Sequence, residues 1–527
     1  MSAPAPSTSA QDVGNVVDYL FEHSLALDGG AKAAQIVDGR TVTYRALHDR
    51  TCQVGNLLRA LGVGPDDRVM MSLADGPDFV ATFLGGMKIG AVTVPINTFL
   101  KPHDYRYYIN DSGARVLVID RALVPVIESI RAEIPAIEHI LVAGGAPAGY
   151  ADFDDAIADH AVDCPTVPRR GDDMAFWLYS SGSTGDPKGV VHTNNHIYWA
   201  TELFGIGAQG IHADDVILCP PKMFFAYGLG NQVYFPIRSG ATNIVNTGPI
   251  TPDRIWQLWL EHQPTIVMSV PTLFAGMLQV AEKSLGQARV REACRRLRFS
   301  VSGGEILPPA LLERWQAFTG TDILDGVGST EMTHMFTLNR PGQPVPGSCG
   351  KIVDGFTAEV LDEEGRPVPV GEIGNLHVYG PTAARAYWNK PEKTAAVMGR
   401  GGVMTGDKVR CDEDGNFYLV GRSDDMLRVG AIWVSPAEVE NALASHPAVL
   451  ECAVVGRPDE QEMIKPKAYV VLRNGLPPEP AAVEAELKAH VRERLAHIKC
   501  PRWITFVEDL PKTSTGKIQR YRLRAAD

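Results

Sequence analysis

Along the first four hundred residues, short apolar runs alternate with stretches of helical spacing. Leu47, Val54, Leu57, Leu58 and Leu61 recur three and four residues apart and stop at Gly62, a residue suited to closing a helix. Residues 69–73, 92–96, 116–119 and 140–142 are short apolar segments sized for buried strands. Strands separated by helices predict parallel sheets covered on both faces, the α/β class. After about Gly421 the pattern restarts on a smaller scale. A helix at 437–444 precedes strands at 452–455 and 468–472, then a helix at 481–495, a strand at 503–507 and a polar loop at 511–517. That pattern predicts a separate α+β unit of about a hundred residues. No repeat of fixed period is visible.

Composition narrows the class. The chain has 527 residues, 45% hydrophobic and 21% charged, which is globular and excludes collagenous, coiled-coil and disordered classes. Its formal charge of −12 offers no global field for nucleic acid, so any phosphate site must be local. The eight cysteines stand singly, without a C-x-x-C, so neither a zinc site nor a redox dithiol is expected and a reducing, cytoplasmic setting fits. The apolar stretch 79–96 is broken by Lys88, three glycines and Pro95, so no membrane span is expected. Residues 1–12 lack a basic start followed by an apolar run and read as a disordered tail.

Residues 179–193 read YSSGSTGDPKGVVHT. A strand at 176–179 and another starting at Val190 bracket Ser180, Ser181, Gly182, Ser183, Thr184 and Gly185, a run of hydroxyls and unhindered N–H groups able to wrap phosphate oxygens. Lys188 adds a point charge. A Walker A loop would place Gly-Lys-Ser/Thr at the start of a helix, whereas Pro187 precedes this lysine and Gly189 follows it.

This string resembles the phosphate-binding signature of the adenylate-forming, or acyl-activating, enzymes. Four further segments resemble that family's motifs in the family's order: 302–309 (SGGEILPP), 325–331 (DGVGSTE), 405–408 (TGDK) with 421–425 (GRSDD), and 511–520 (PKTSTGKIQR). The resemblance implies two mostly parallel sheets plus a small β-rich part over 13–421, a hinge over 422–425 about Asp424, and a small mobile domain over 426–527. It implies that Ser181, Gly182, Ser183, Thr184 and Gly185 hold the ATP phosphates beside Lys188. Gly303, Gly304 and Glu305 would lie against adenine. Asp325, Gly326, Val327, Gly328, Ser329 and Thr330 would hold adenine and the α-phosphate, and Glu331 would ligate Mg²⁺. Asp407 would accept from the ribose with Arg422 beside it. Lys517 would bridge the incoming carboxylate and the phosphate. Two departures stand out: Val327 replaces a tyrosine that stacks on adenine in many members, and Ala431 follows Gly430 where two glycines usually line the pantetheine tunnel.

Residues 222–231 (KMFFAYGLGN) and 331–336 (EMTHMF) resemble the benzoate-CoA ligase branch. The likeness implies an acyl pocket at Ala226, Tyr227 and Gly228, closed by His334. Coenzyme A carries phosphates, so the basic Lys499 and Arg502 are candidate contacts for it. The activity expected is ATP-dependent ligation of benzoate, or a hydroxy- or aminobenzoate, to coenzyme A. Alternatives are loading of an aryl acid onto a carrier-protein phosphopantetheine, short- or medium-chain acyl-CoA synthesis, and a non-catalytic scaffold. A homodimer is left open; partners in nucleic acid or membrane are not expected.

Overall fold

The computed structural model describes residues 13–182, 185–423, 426–429, 432–460, 463–473, 475–476, 479–512 and 518–525. The expected tail over 1–12, together with Ser183, Thr184, Asp424, Gly430, Ala431 and Lys517, lies outside them.

The apolar alternation read along the chain becomes two large sheets. One runs in the order Ala386–Tyr387, Gly185–Thr193, Met174–Gly182, Val92–Pro95, Arg68–Ser72, Val116–Asp120, His139–Ala143, Ala151–Asp152. Its pairings are parallel from Met174–Gly182 onward and antiparallel at the other edge. The other sheet runs Ile323–Asp325, Phe299–Ser302, Ile266–Ser269, Val216–Leu218, Thr242–Val245, Ala33–Val37, Arg40–Thr43, and only its last pairing is antiparallel. Strands such as Ile266–Ser269 and Thr242–Val245 are buried along their whole length, as sheets covered on both faces require. Between them, helices present one apolar stripe. Tyr44–Ala60 is capped by the Thr43 hydroxyl, which accepts from the Ala46 N–H at 3.1 Å, and buries Leu47, Val54, Leu57 and Leu58.

A third, antiparallel sheet pairs Thr357–Leu361, Gly374–Tyr379, Val403–Cys411 and Phe417–Arg422. The smaller unit follows. Val449–Pro458, Ile464–Leu472 and Trp503–Phe506 form a sheet with helices Pro436–Ala444 and Pro480–Arg494 and a core around Val439, Val454, Val470 and Leu487. Among the described residues, no helix is long and apolar enough to cross a membrane.

The structure extends two elements beyond the sequence expectation. The phosphate-loop strands run to Gly182 and restart at Gly185 as one antiparallel hairpin, with Ser180 opposite Lys188. Glycine and serine score poorly as strand formers, but ladder hydrogen bonds to a neighbouring strand override local preference. Helical segments Ala200–Ala208 and Gly230–Tyr234 are π-helical, a widened turn with no sequence signature.

A buried ion pair ties the two large sheets together. Asp75, just past strand Arg68–Ser72, accepts from the Met223 N–H at 2.9 Å and lies 3.4 Å from the Lys222 ammonium, which also donates to the Asn246 carbonyl at 3.0 Å. Burial pushes the Asp75 carboxyl up, and Lys222 opposes that push. Removing one partner strands the other charge away from water. Asp75→Ala is therefore expected to cost about 3 kcal/mol in chemical denaturation. Combining it with Lys222→Met should recover much of that loss.

Candidate active site

The candidate residues come from the two large sheets and the loops that join their strands. In the second sheet the register aligns Ser269, Ser302 and Asp325 at the carboxyl ends of parallel strands, the usual ligand side of such sheets. After Asp325 the chain turns back on itself. The Val327 N–H donates to the Thr337 hydroxyl at 2.9 Å, the Phe336 N–H donates to the Val327 carbonyl at 2.9 Å, and Gly328 bridges to Met335. A β-carbon at Gly328 would lie 2.6 Å from the His334 carbonyl oxygen, so glycine is required there by backbone packing. This explains the glycines of the 325–331 motif without reference to a nucleotide.

Ser329 then caps a short helix, Thr330–Met332, its hydroxyl accepting from the Met332 N–H at 3.2 Å. Thr333 follows at φ 66°, ψ −41°, a conformation few side-chain-bearing residues adopt. Its hydroxyl donates to the Thr382 carbonyl at 2.9 Å and lies 3.1 Å from His192 Nδ1, contacts that hold the strained turn.

Glu331 projects from this turn toward the phosphate-loop hairpin. Its Oε1 accepts from the Tyr387 hydroxyl at 2.8 Å and from the Ser180 hydroxyl at 3.4 Å. Lys188 lies with its ammonium 4.4 Å from the centre of the Tyr387 ring. Burial first, then the Glu331 charge and hydrogen bond, hold the Tyr387 phenol well above its ordinary pKa, so it stays a donor. The hairpin is fixed from its far side: Tyr179 donates to Asp111 at 2.6 Å, and the Tyr107 hydroxyl donates to the Pro187 carbonyl at 3.0 Å.

Beside these groups lies an aromatic cluster. Tyr227 and His334 stack with ring centroids 5.6 Å apart, while Phe204 and Phe235 pack on His334 at 5.0 and 4.7 Å. The Tyr227 hydroxyl donates to the Val301 carbonyl at 3.2 Å, and a β-carbon on Gly303 would sit 3.5 Å from the Tyr227 ring. The 302–309 and 222–231 segments are thus contiguous. Ala226 and Gly228 open the helix Ala226–Leu229 that carries Tyr227, and the widened turn after it leaves space for the His334 ring against Gly230. His334 is 2% exposed and its Nε2 lies 3.3 Å from the Tyr227 carbonyl, so Nε2 carries the proton. Burial lowers its pKa to about 3, against a weaker opposing pull from that carbonyl.

The remaining expected residues are spread around this centre. Asp407 and Arg422 face each other across strands Val403–Cys411 and Phe417–Arg422, their side chains paired at 2.9 Å. Arg422 Nη1 also donates to the Thr405 carbonyl at 2.8 Å. Burial raises the Asp325 carboxyl well above its usual range. Gly304 has φ 82°, and Glu305 accepts from the Thr272 hydroxyl at 2.8 Å, at the start of helix Pro271–Val280. Lys499 donates to both Glu438 oxygens at 2.7 Å, an ion pair internal to the small unit, whereas Arg502 is exposed. Tyr387 and Asp111 were not found by sequence reading. A single Tyr-Trp pair in a loop-rich stretch gives no spacing cue, and its meaning comes from the register that sets Tyr387 opposite Val190.

Because the folded pKa of His334 lies below that of an unfolded histidine, the unfolded chain takes up the proton first. Stability is therefore lost as pH falls below about 6.5 and continues to fall toward about 3. At pH 5 the His334 contribution to that loss is about 2 kcal/mol. His334→Phe should lose less stability than wild type between pH 7 and pH 5 by that amount, read by urea denaturation. Gly328→Ala should lower the melting temperature by several degrees, while Gly64→Ala, with nothing nearer its β-carbon than 3.9 Å, should not.

Comparison with known proteins agrees with this geometry. Residues 21–388 match the AMP-binding enzyme family, and residues 438–517 match the AMP-binding enzyme C-terminal domain. The chain is 44% identical to the benzoate–CoA ligase of Thauera aromatica over 99% of its length and 98% of that protein. It is 39% identical to the 4-hydroxybenzoate–CoA/benzoate–CoA ligase of Rhodopseudomonas palustris, over 98% of the chain and 94% of that protein. The crystal structure of the anthranilate CoA ligase AuaEII in complex with anthranoyl-AMP superposes with a TM-score of 0.92 at 40% identity, covering 97% of each chain. With family models matched over residues 21–388 and 438–517 and with relatives aligned along nearly the whole length, the chain belongs to the AMP-binding enzyme family, among homologues that are benzoate–CoA ligases.

Proposed function

We propose that the protein is an AMP-forming aryl-CoA ligase, an acid–thiol ligase that adenylates benzoate or a hydroxy- or aminobenzoate with release of pyrophosphate. The aroyl group then passes to the thiol of coenzyme A, with release of AMP. The observation that carries this reading is the juxtaposition of two unlike clusters: Lys188, Tyr387 and Glu331, suited to polyphosphate, and the aromatic rings around Tyr227 and His334, suited to an aryl acid.

The chemistry asks two anions, a carboxylate and the α-phosphate, to approach each other. Cations and hydrogen-bond donors fixed in advance lower that barrier without reorganising at the moment of reaction. Lys188 supplies one such charge and Thr330, on the turn before Glu331, a hydroxyl. Lys517 is assigned to bridge the two anions from the small domain, which is read as turning about Asp424 so that the tunnel lined by Gly430 and Ala431 then faces the acyl-adenylate. The Glu331 carboxylate with the Ser180 hydroxyl beside it is a hard oxygen set that fits Mg²⁺. Mg²⁺ would neutralise phosphate charge there. Asp407 is read as accepting from the ribose, oriented by Arg422.

A neutral imidazole suits the acid pocket. His334 sits in the aromatic cluster without a charge, so a flat ring with apolar faces is favoured over an aliphatic ammonium acid. The KMFFAYG segment carries no carboxylate to hold an amino group, and the nearby Asp75 is already engaged by Lys222. All eight cysteines are free thiols, which supports placing the protein in the cytoplasm.

Benzoate, the three hydroxybenzoates, 2-aminobenzoate and short alkanoates, tested for ATP–pyrophosphate exchange and for AMP release with coenzyme A, decide the reading. Aryl acids should drive both and alkanoates neither. Exchange without turnover on free coenzyme A would transfer the assignment to carrier-protein loading. Lys517→Ala should cut exchange by at least about a hundredfold, and unchanged exchange would remove that lysine from the mechanism.

A further inference from the structure

The segment 382–388 was not expected to take part in the site, yet it is stitched to both of the site's charged elements. The Thr382 hydroxyl donates to the Met332 carbonyl at 2.9 Å, and the Ala384 N–H donates to the Glu331 carbonyl at 2.7 Å. From there the chain becomes the edge strand of the first sheet. The Arg385 N–H donates to the Val191 carbonyl at 3.0 Å and the Trp388 N–H to the Gly189 carbonyl at 2.8 Å. Tyr387 stands opposite Val190, so Lys188, two residues earlier on the neighbouring strand, is its diagonal neighbour on the same face.

From this geometry we infer that Tyr387 is a positioning residue for adenylation, its hydroxyl fixing the Glu331 carboxylate for the cation and its ring face holding the Lys188 ammonium toward the phosphates. The inference rests on the reading above that Glu331 holds Mg²⁺. A carboxylate rotates freely about its last bond unless one oxygen is held. Both hydrogen bonds, from Tyr387 and from Ser180, fall on Oε1. That leaves Oε2 turned to the cation's side, which is how outer partners orient a metal-ligating group. The same ring gives the Lys188 ammonium a π face at 4.4 Å, worth more in a buried place than at a surface, and Tyr387 is only 3% exposed. One side chain thus sets the relative placement of a negative and a positive group that face the same triphosphate. Its own place is fixed by the Tyr387 N–H donating to the Thr394 hydroxyl at 3.0 Å and by the edge-strand ladder.

Two substitutions separate the two roles in the full-length protein. Tyr387→Phe keeps the ring and deletes the hydroxyl; Tyr387→Leu deletes both. ATP affinity is measured by titration calorimetry across a series of Mg²⁺ concentrations and in EDTA. Turnover of supplied benzoyl-adenylate with coenzyme A is measured alongside. For Tyr387→Phe the Mg²⁺ concentration giving half-maximal ATP binding should rise about tenfold. Its metal-free ATP affinity and its thioester step should match wild type. Tyr387→Leu should, in addition, weaken metal-free ATP binding by about fivefold through loss of the ring under Lys188. Glu331→Gln is the control on the underlying reading. If it leaves the Mg²⁺ dependence of ATP binding unchanged, the assignment of Glu331 falls, whatever Tyr387 does. If Glu331→Gln abolishes that dependence while Tyr387→Phe follows the wild-type curve, the Tyr387 inference alone is overturned. A Tyr387→Phe protein that loses ATP affinity equally with and without Mg²⁺, in step with a lower melting temperature, also overturns it, because that pattern marks a merely structural role.

Discussion

A carboxylate can serve a cation only if something else holds it still, and Glu331 is held from two parts of the chain at once. Its backbone carbonyl is tied to the Ala384 N–H, while its side chain is tied to Tyr387 and to Ser180 of the hairpin. Each of those groups is fixed in turn by a sheet ladder or a buried polar contact. Around Glu331, therefore, the edge strand Ala386–Tyr387, the hairpin and the return loop from Asp325 behave as one unit. Shifting any one of them would break a hydrogen bond in a place poorly supplied with water, where an unpaired group is expensive. The strained Thr333 persists because that surrounding network over-determines it.

Burial sets the electrical character of the neighbouring aromatic cluster. His334, enclosed by aromatic rings, gives up its proton affinity because water is excluded and only a backbone carbonyl partly compensates. His192, on the second hairpin strand, and His196, in the helix that follows, have Nδ1 atoms 3.2 Å apart and are shifted the same way for the same reason, each ring also sensing the other or Arg385. Charge is thus concentrated around Lys188 and Glu331 and withheld from the aromatic side. An enzyme joining an anionic, polar nucleotide to an apolar ring needs that separation, and one low-dielectric interior supplies both halves.

The hydrophobic pattern alone was enough to read the α/β class, a small C-terminal α+β unit, and the inner strands of the first sheet and of that unit to within a few residues, whereas the strands of the second large sheet went unread. The ordered motifs pointed to the Glu331 turn, to Lys188 and to the Tyr227–His334 pair, since local chemistry forces those residue types into a recognisable order. Sequence did not reveal why Gly326 and Gly328 are glycines: they face the returning strand, where a β-carbon would meet the backbone of Thr337 or His334. The hairpin's extent, the π-helical turn beside His334, the buried Asp75–Lys222 clamp and the role of Tyr387 were likewise hidden. Periodicity and motif order are local quantities, written within a dozen residues. Pairing between positions 56 to 199 residues apart, such as Glu331 with Tyr387 or Tyr387 with Lys188, exists only after the sheets have set their register. That through-space register, and the exclusion of water that comes with it, was decided by the tertiary structure alone.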